Sequence, residues 1–290
     1  MAQLLSQVVL PIALAIMMLV MGLSLRLEHF RQVLQHPKLV FVGLVLQWLL
    51  LPAVAFVLVK LLQLPEEVMV GLIILAACPG GATSNIISHL SGGDAALSVT
   101  LTAIISVFAP LTLPLWVNTQ LDWLALQSLD IQLPWAKTVL PLLVITVVPL
   151  LIGMLLAHFR AAWVGKHAMT LNRLTFALFA GLVATLAWVN AERLPQLWSV
   201  VTLACLALCV LAMSLAGMVG RLLSHNPAIA RTYMVEVGIQ NAGTAMLVSV
   251  TLLNRPELAL VALFYGILMN IPALLLISLH QWRQAGYAKA

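Results

Sequence analysis

Two short stretches hold most of the residues able to do chemistry in an otherwise apolar chain. The first is Cys78-Pro79-Gly80-Gly81-Ala82-Thr83-Ser84-Asn85, and the second is Glu236-Val237-Gly238-Ile239-Gln240-Asn241-Ala242-Gly243-Thr244. Carboxylate, amide and hydroxyl oxygens, joined by backbone carbonyls freed where a helix is interrupted, are ligands for a hard cation such as sodium. Ser84, Asn85, Glu236 and Gln240 supply that set. Ser98 and Thr102 lie four residues apart on one helical face and add two hydroxyls at a similar depth. Gln47 adds one more amide. The plainer reading of the hydroxyls is back-bonding to their own helix, and of Gln47 a bond between helices. Gly80 and Gly81, with the backbone amides that follow them, form a place for an anion.

Composition decides which elements must position these groups. Of 290 residues, 63% are hydrophobic and 8% charged, whereas soluble domains average about 45–50% and about 25%. The mean hydropathy is +1.09. These values exclude a soluble enzyme and a disordered chain. The formal charge of +5 comes from 14 basic residues that form no block, which argues against a nucleic-acid partner. The chain therefore reads as an all-α integral membrane protein in a lipid bilayer. A crossing takes about 20 apolar residues, and nine transmembrane helices are expected. They fall near 5–25, 39–60, 67–90, 95–117, 137–157, 171–191, 197–222, 232–253 and 258–280. No Lys or Arg precedes Arg26, so the first run reads as a retained span rather than a cleaved signal.

Charge placement orients that arrangement. Arg26, Arg31, Lys38, Arg160, Lys166, Arg173, Arg221, Arg231, Arg283 and Lys289 fall on one side, and Lys60, Lys137, Arg193 and Arg255 on the other. The imbalance predicts an outside N-terminus and a cytoplasmic C-terminus in a cell (plasma or inner) membrane. All seven histidines sit at span ends or in loops of the inner side, which leaves no histidine relay at membrane depth. Cys78, Cys205 and Cys209 have neither metal nor disulfide spacing and read as packing residues. No HExxH or GxSxG motif is present, so no enzyme is expected.

The third and eighth expected spans are the interrupted ones, by proline and glycines in one and by two glycines and polar residues in the other. An offset of five spans reverses their direction across the bilayer. Paired broken helices of opposite polarity point to an inverted-repeat secondary transporter with a midplane site. Ser84 lies five residues before His89 and Glu236 five residues after Arg231, which puts both clusters at one depth. Glu236 is the only ionisable residue well inside a span. A central charge costs about 2.5–3.5 kcal/mol on insertion scales, so a cation, a proton or a watery cavity must offset it.

Three ordered blocks, ACPGGATSN, GGDAALSVTLT and EVGIQNAG, resemble signatures of the bile acid:sodium symporter family, and the likeness runs from about Val20 to Leu276. The resemblance implies an inverted-repeat transporter with two crossing discontinuous helices. A panel domain would take approximately 5–25 and 137–191, and a core domain approximately 39–117 and 197–280. It also implies two sodium sites. One would use Ser84, Asn85, Ser98, Thr102 and Glu236. The other would use Gln47, Glu236, Gln240 and the backbone oxygens of Val237 and Ile239. Asn241 and Asn270 would border the substrate cavity. Bacterial members often have ten spans, and this chain is similar to a bacterial-type member lacking the first helix. Ala82-Thr83 stands where Thr-Ala is common, and Leu268-Met269-Asn270 where Trp-His-Asn is frequent, so Ala82, Thr83 and Met269 are further candidate substrate contacts. With those changes the resemblance implies a sodium-coupled symporter of a small carboxylate-type organic anion, working by alternating access. A proton-coupled or uncoupled exporter of metabolite or arsenite-type anions is the other reading on the same fold, with Cys78 as its one hint.

Overall fold

The computed structural model describes residues 5–25, 28, 35–81, 83–125, 131–189, 191–192 and 194–287. Ala82 lies outside the described residues, as do Arg26, Arg31, Arg193 and Lys289 of the charge distribution. Among the described residues every regular element is a helix. In chain order these are α1 (Leu10–Leu23), α2 (Pro37–Leu62), α3 (Glu66–Ala77), α4 (Ser84–Leu90), α5 (Ala95–Trp123), α6 (Trp135–Phe159), α7 (Ala161–Val189), α8 (Leu194–Leu223), α9 (Pro227–Gly238), α10 (Ala242–Leu252), α11 (Ala259–Leu268) and α12 (Asn270–Tyr287). Six helical stretches are long and apolar enough to cross a bilayer: α2, α5, α6, Ala161–Thr185 of α7, Val200–Leu223 of α8, and Pro256–Ala285 through α11 and α12. Helix α1 and the pieces α3, α4, α9 and α10 are each shorter.

Proline sets much of the local geometry. π-helical turns at Leu5–Val9, Leu46–Leu50 and Leu143–Val147 each end two residues before a proline, at Pro11, Pro52 and Pro149. A proline offers no N–H to the carbonyl one turn back, and the widened turn lets that carbonyl reach another donor. Gln47 sits in the second of these turns. Cys78, which precedes Pro79, is extended at φ −73° and ψ 157°, as the proline ring demands, and α3 ends there. Near the end of the chain, Pro272 likewise separates α11 from α12 at Met269.

One boundary departs from the sequence expectation. The span expected near 171–191 belongs to a helix that begins at Ala161, directly after Arg160. Lys166 falls between the expected spans, yet an isolated charge does not stop a helix in Ala- and Leu-rich sequence. At about 1.5 Å per residue the helix runs about 43 Å, longer than a hydrocarbon core of about 30 Å.

Helix α1 packs on α6 and α7, while α2, α3, α5, α8, α9 and α11 surround a common core that includes Leu72, Ile74, Leu101, Ala204 and Leu208. Helices α1 and α6 meet at two glycines. A Cβ on Gly22 would fall 2.1 Å from the Leu150 carbonyl oxygen, and one on Gly153 would fall 2.2 Å from that of Leu19. Helix α6 also packs along α5, α10 leans on α1, and α11 meets α7.

Candidate functional site

Both interrupted stretches open where the sequence indicates, and the openings meet. Gly80 and Gln240 pair as an isolated antiparallel bridge. The Gly81 N–H donates to the Ile239 carbonyl at 2.8 Å, and the Asn241 N–H donates to the Pro79 carbonyl at 2.9 Å. Each break thereby satisfies backbone groups that the other exposes, the condition for irregular chain at membrane depth. Gly81 allows the approach: a Cβ there would lie 2.9 Å from the Gln240 carbonyl oxygen. Asn241 also starts α10, its side-chain oxygen accepting from the Thr244 N–H at 3.0 Å, the usual work of an Asn cap.

Five of the expected ligands form one cluster. Glu236 is buried, and its carboxylate accepts from Ser98 Oγ at 2.5 Å and from Thr102 Oγ1 at 2.6 Å. Asn85 Oδ1 lies 2.9 Å from Ser98 Oγ and 3.3 Å from Thr102 Oγ1, and Ser84 Oγ lies 3.4 Å from Thr102 Oγ1. The elements supply the groups in pairs: Ser84 and Asn85 open α4, Ser98 and Thr102 share a face of α5, and Glu236 stands in the last turns of α9. Each hydroxyl has a single proton, so three hydroxyl protons face two carboxylate oxygens, the Asn85 oxygen and a backbone carbonyl. The Asn85 amide nitrogen is also buried and makes no hydrogen bond. Among the described residues no Lys, Arg or His pairs with the carboxylate.

The second expected group gathers beside the first. Gln47 Nε2 donates to Gln240 Oε1 at 2.9 Å, and Gln240 Nε2 donates to the Val237 carbonyl at 2.8 Å. Gln47 Oε1 is buried with no hydrogen-bond partner, an oxygen left free for a ligand. The Glu236 carboxylate bonds to the hydroxyls of the first cluster and not to Gln47 or Gln240. Its connection to the second group runs through the backbone: a Cβ on Gly80 would lie 3.5 Å from Glu236 Oε2, 3.6 Å from the Glu236 carbonyl oxygen and 3.8 Å from that of Ile239. Three oxygens thus converge on the bare α-carbon of Gly80.

A cavity of about 180 Å³ opens next to the crossing. Thr83, Asn241, Met269 and Asn270 line it, as do Asn85 and Gln240 of the two oxygen groups. Asn270 turns its amide back to the Gly266 carbonyl at 2.8 Å. The far wall was not anticipated: Met17, Met18 and Met21 of α1, with Phe176 and Phe179 of α7, complete the enclosure. Met17, Met18 and Met21 share one face of α1, but methionine suits varied contacts, so their type alone does not mark a cavity wall. Among the described residues that line it, none is cationic.

Apolar helices, paired breaks and an enclosed cavity at their junction are features of secondary transporters. The model of the Sodium Bile acid symporter family matches residues 11–221, and the chain belongs to that family. It is 29% identical over 233 residues to an uncharacterized sodium-dependent transporter of Bacillus subtilis, with 80% of this chain and 70% of the relative aligned. A probable chloroplastic sodium/metabolite cotransporter of Arabidopsis thaliana is 31% identical over 232 residues, 80% of this chain and 56% of the relative. The ileal sodium/bile acid cotransporter of Oryctolagus cuniculus is 30% identical over 244 residues, 80% of this chain and 66% of the relative. The chain thus spans between about half and 70% of the length of these relatives. Relatives and helices together make it a multi-pass membrane transporter of a sodium symporter family.

Proposed function

We propose that the chain couples inward sodium movement to uptake of a small carboxylate-type organic anion by alternating access. The observation that carries this reading is the cluster of side-chain oxygens around Glu236, buried at the crossing with no cationic partner among the described residues. A sodium ion there supplies the missing positive charge and takes Ser84, Asn85, Ser98, Thr102 and Glu236 as ligands. A second ion fits beside Gln47, Gln240 and the backbone oxygens of Val237 and Ile239. The anion enters the adjoining cavity. With no cationic side chain among the described residues of its wall, the anion's charge is balanced by the neighbouring ions, so filling either site favours filling the other. Thr83, Asn241, Met269 and Asn270 are its contacts from the crossing side, and Ala82 belongs to the same stretch.

Nine passes account for the helices, with α3/α4 and α9/α10 each crossing as a broken pair and the N-terminus outside. The set built on α1, α6 and α7 acts as the panel, and the remaining helices act as the core that moves against it. If two sodium ions accompany one anion, each cycle moves one net positive charge inward. That charge contributes about 2.3 kcal/mol per 100 mV. The test is anion uptake into proteoliposomes carrying a sodium gradient, with choline replacing sodium and a pH gradient in a separate arm. Uptake driven by sodium supports the reading. Uptake driven by protons alone assigns Glu236 to proton coupling and overturns it.

A further inference from the structure

Breaking α9 strips intrahelical partners from its last carbonyls, and each finds a different fate. The Val235 oxygen accepts from the Ile239 N–H at 2.8 Å, and the Val237 oxygen accepts from the Gln240 side chain. The Ile239 oxygen accepts from the Gly81 N–H at 2.8 Å, and the Glu236 oxygen lies beside Gly80. The Gly238 oxygen lies between these in sequence and is held from elsewhere: Tyr265 Oη donates to it at 2.8 Å, and Cys209 Sγ lies 3.5 Å from it. Tyr265, in α11, is fully buried, and Cys209, in α8, is 1% exposed. Neither residue belongs to either oxygen group.

We propose that Tyr265, backed by Cys209, is a positioning residue that aims the backbone oxygens of the break at the ion by anchoring the Gly238 carbonyl. The inference rests on the sodium reading above. A peptide unit is planar, so fixing the Gly238 oxygen fixes the Ile239 nitrogen with it and limits where the flanking carbonyls can point. The tyrosine ring suits the task, because it is rigid and carries its donor at the tip. Bare satisfaction of a buried carbonyl is the competing role, and a matched pair of hydroxyls separates the two. Tyr233 is also fully buried, and its hydroxyl donates to the Leu39 carbonyl at 2.6 Å, at the start of α2 and away from the break. A merely structural hydroxyl predicts like behaviour for both tyrosines.

The experiment measures sodium-dependent thermal stabilisation of the purified full chain, titrating sodium chloride against potassium chloride at constant ionic strength. Tyr265→Phe is expected to raise half-saturating sodium by about 10-fold or more, as loss of an outer partner of an ion ligand does, while Tyr233→Phe stays near wild type. Equal shifts in the two variants, or none in Tyr265→Phe, overturn the proposal. Should Tyr265→Phe fail to fold, Cys209→Ala probes the same oxygen: raised half-saturating sodium supports the anchor, and an unchanged value overturns it. A wild-type protein that does not respond to sodium defeats the sodium reading itself. A responding wild type beside an equally responding Tyr265→Phe defeats only the anchor.

Discussion

Replacing Glu236 with glutamine separates sodium binding from fold stability by moving them in opposite directions. The side chain is 2% exposed, and its carboxylate is met by two hydroxyls and no cationic partner among the described residues. A charge placed so deep costs about 2.5–3.5 kcal/mol, and in the proposed mechanism an arriving sodium ion removes that cost. Glutamine keeps the shape; its carbonyl oxygen accepts from one of the Ser98 and Thr102 hydroxyls, and its amide nitrogen donates to the other. It carries no charge to neutralise. At about 1.4 kcal/mol per tenfold, Glu236→Gln loses roughly 100-fold in sodium affinity. The sodium-free protein is no less stable than wild type, since an unpaired buried charge has been removed rather than a salt bridge. Thermal unfolding in potassium chloride and in sodium chloride reads both quantities from one preparation. A variant whose half-saturating sodium stays within threefold of wild type refutes the assignment. So does a sodium-free variant that melts far below wild type, because that pattern belongs to a broken structural network costing about 3–5 kcal/mol.

Gly80→Ala puts a methyl 3.5–3.8 Å from three oxygens without touching the backbone more closely; the fold persists while sodium stabilisation falls by an order of magnitude, and a normal sodium titration sinks the idea that an ion sits there. Met269→Trp fills the cavity from the break between α11 and α12, so anion uptake is lost while the sodium-dependent thermal shift remains; parallel loss of both would mean the cavity and the oxygen groups are not separable. Gly22→Ala forces the α1–α6 crossing open, since its methyl would meet the Leu150 carbonyl oxygen at 2.1 Å. It lowers the melting temperature in either salt by the equivalent of about 1–3 kcal/mol of overpacking, and a wild-type melting curve contradicts the close crossing.

Much of the site was legible because its signals are local. Pro79, Gly80 and Gly81 cannot continue a helix at low cost, and Gly238 with Gln240 and Asn241 marks the second opening in the same way. Ser98 and Thr102 announce a shared face through their spacing alone. Partnerships between distant segments carry no such mark. The Gln47–Gln240 bond joins residues 193 apart, and nothing in either neighbourhood of sequence requires it. The methionines of α1 were unreadable for another reason: the same residue type suits lipid, core and cavity wall, so only packing tells which role Met17 or Met21 takes. The start of α7 was misplaced because charge was taken as a boundary, whereas the backbone there had no reason to stop.

Neither break is sustainable by itself. Remove the second, and the Gly81 N–H and the Pro79 carbonyl lose their partners; remove the first, and the Ile239 carbonyl and the Asn241 N–H lose theirs. Each unpaired group in a dry interior costs on the order of 1–3 kcal/mol, so the crossing forms as one unit contributed by both halves of the chain. The same crossing leaves Glu236 short of positive charge. An ion bound there stabilises the joint between the halves, through Ser84 and Asn85 on one side and Glu236 on the other. In the proposed mechanism, sodium occupancy and the integrity of the crossing are therefore one equilibrium. The cavity is bordered by Asn85, Gln240 and Asn241 of that crossing, which is the physical link the proposed symport needs between its ion and its cargo.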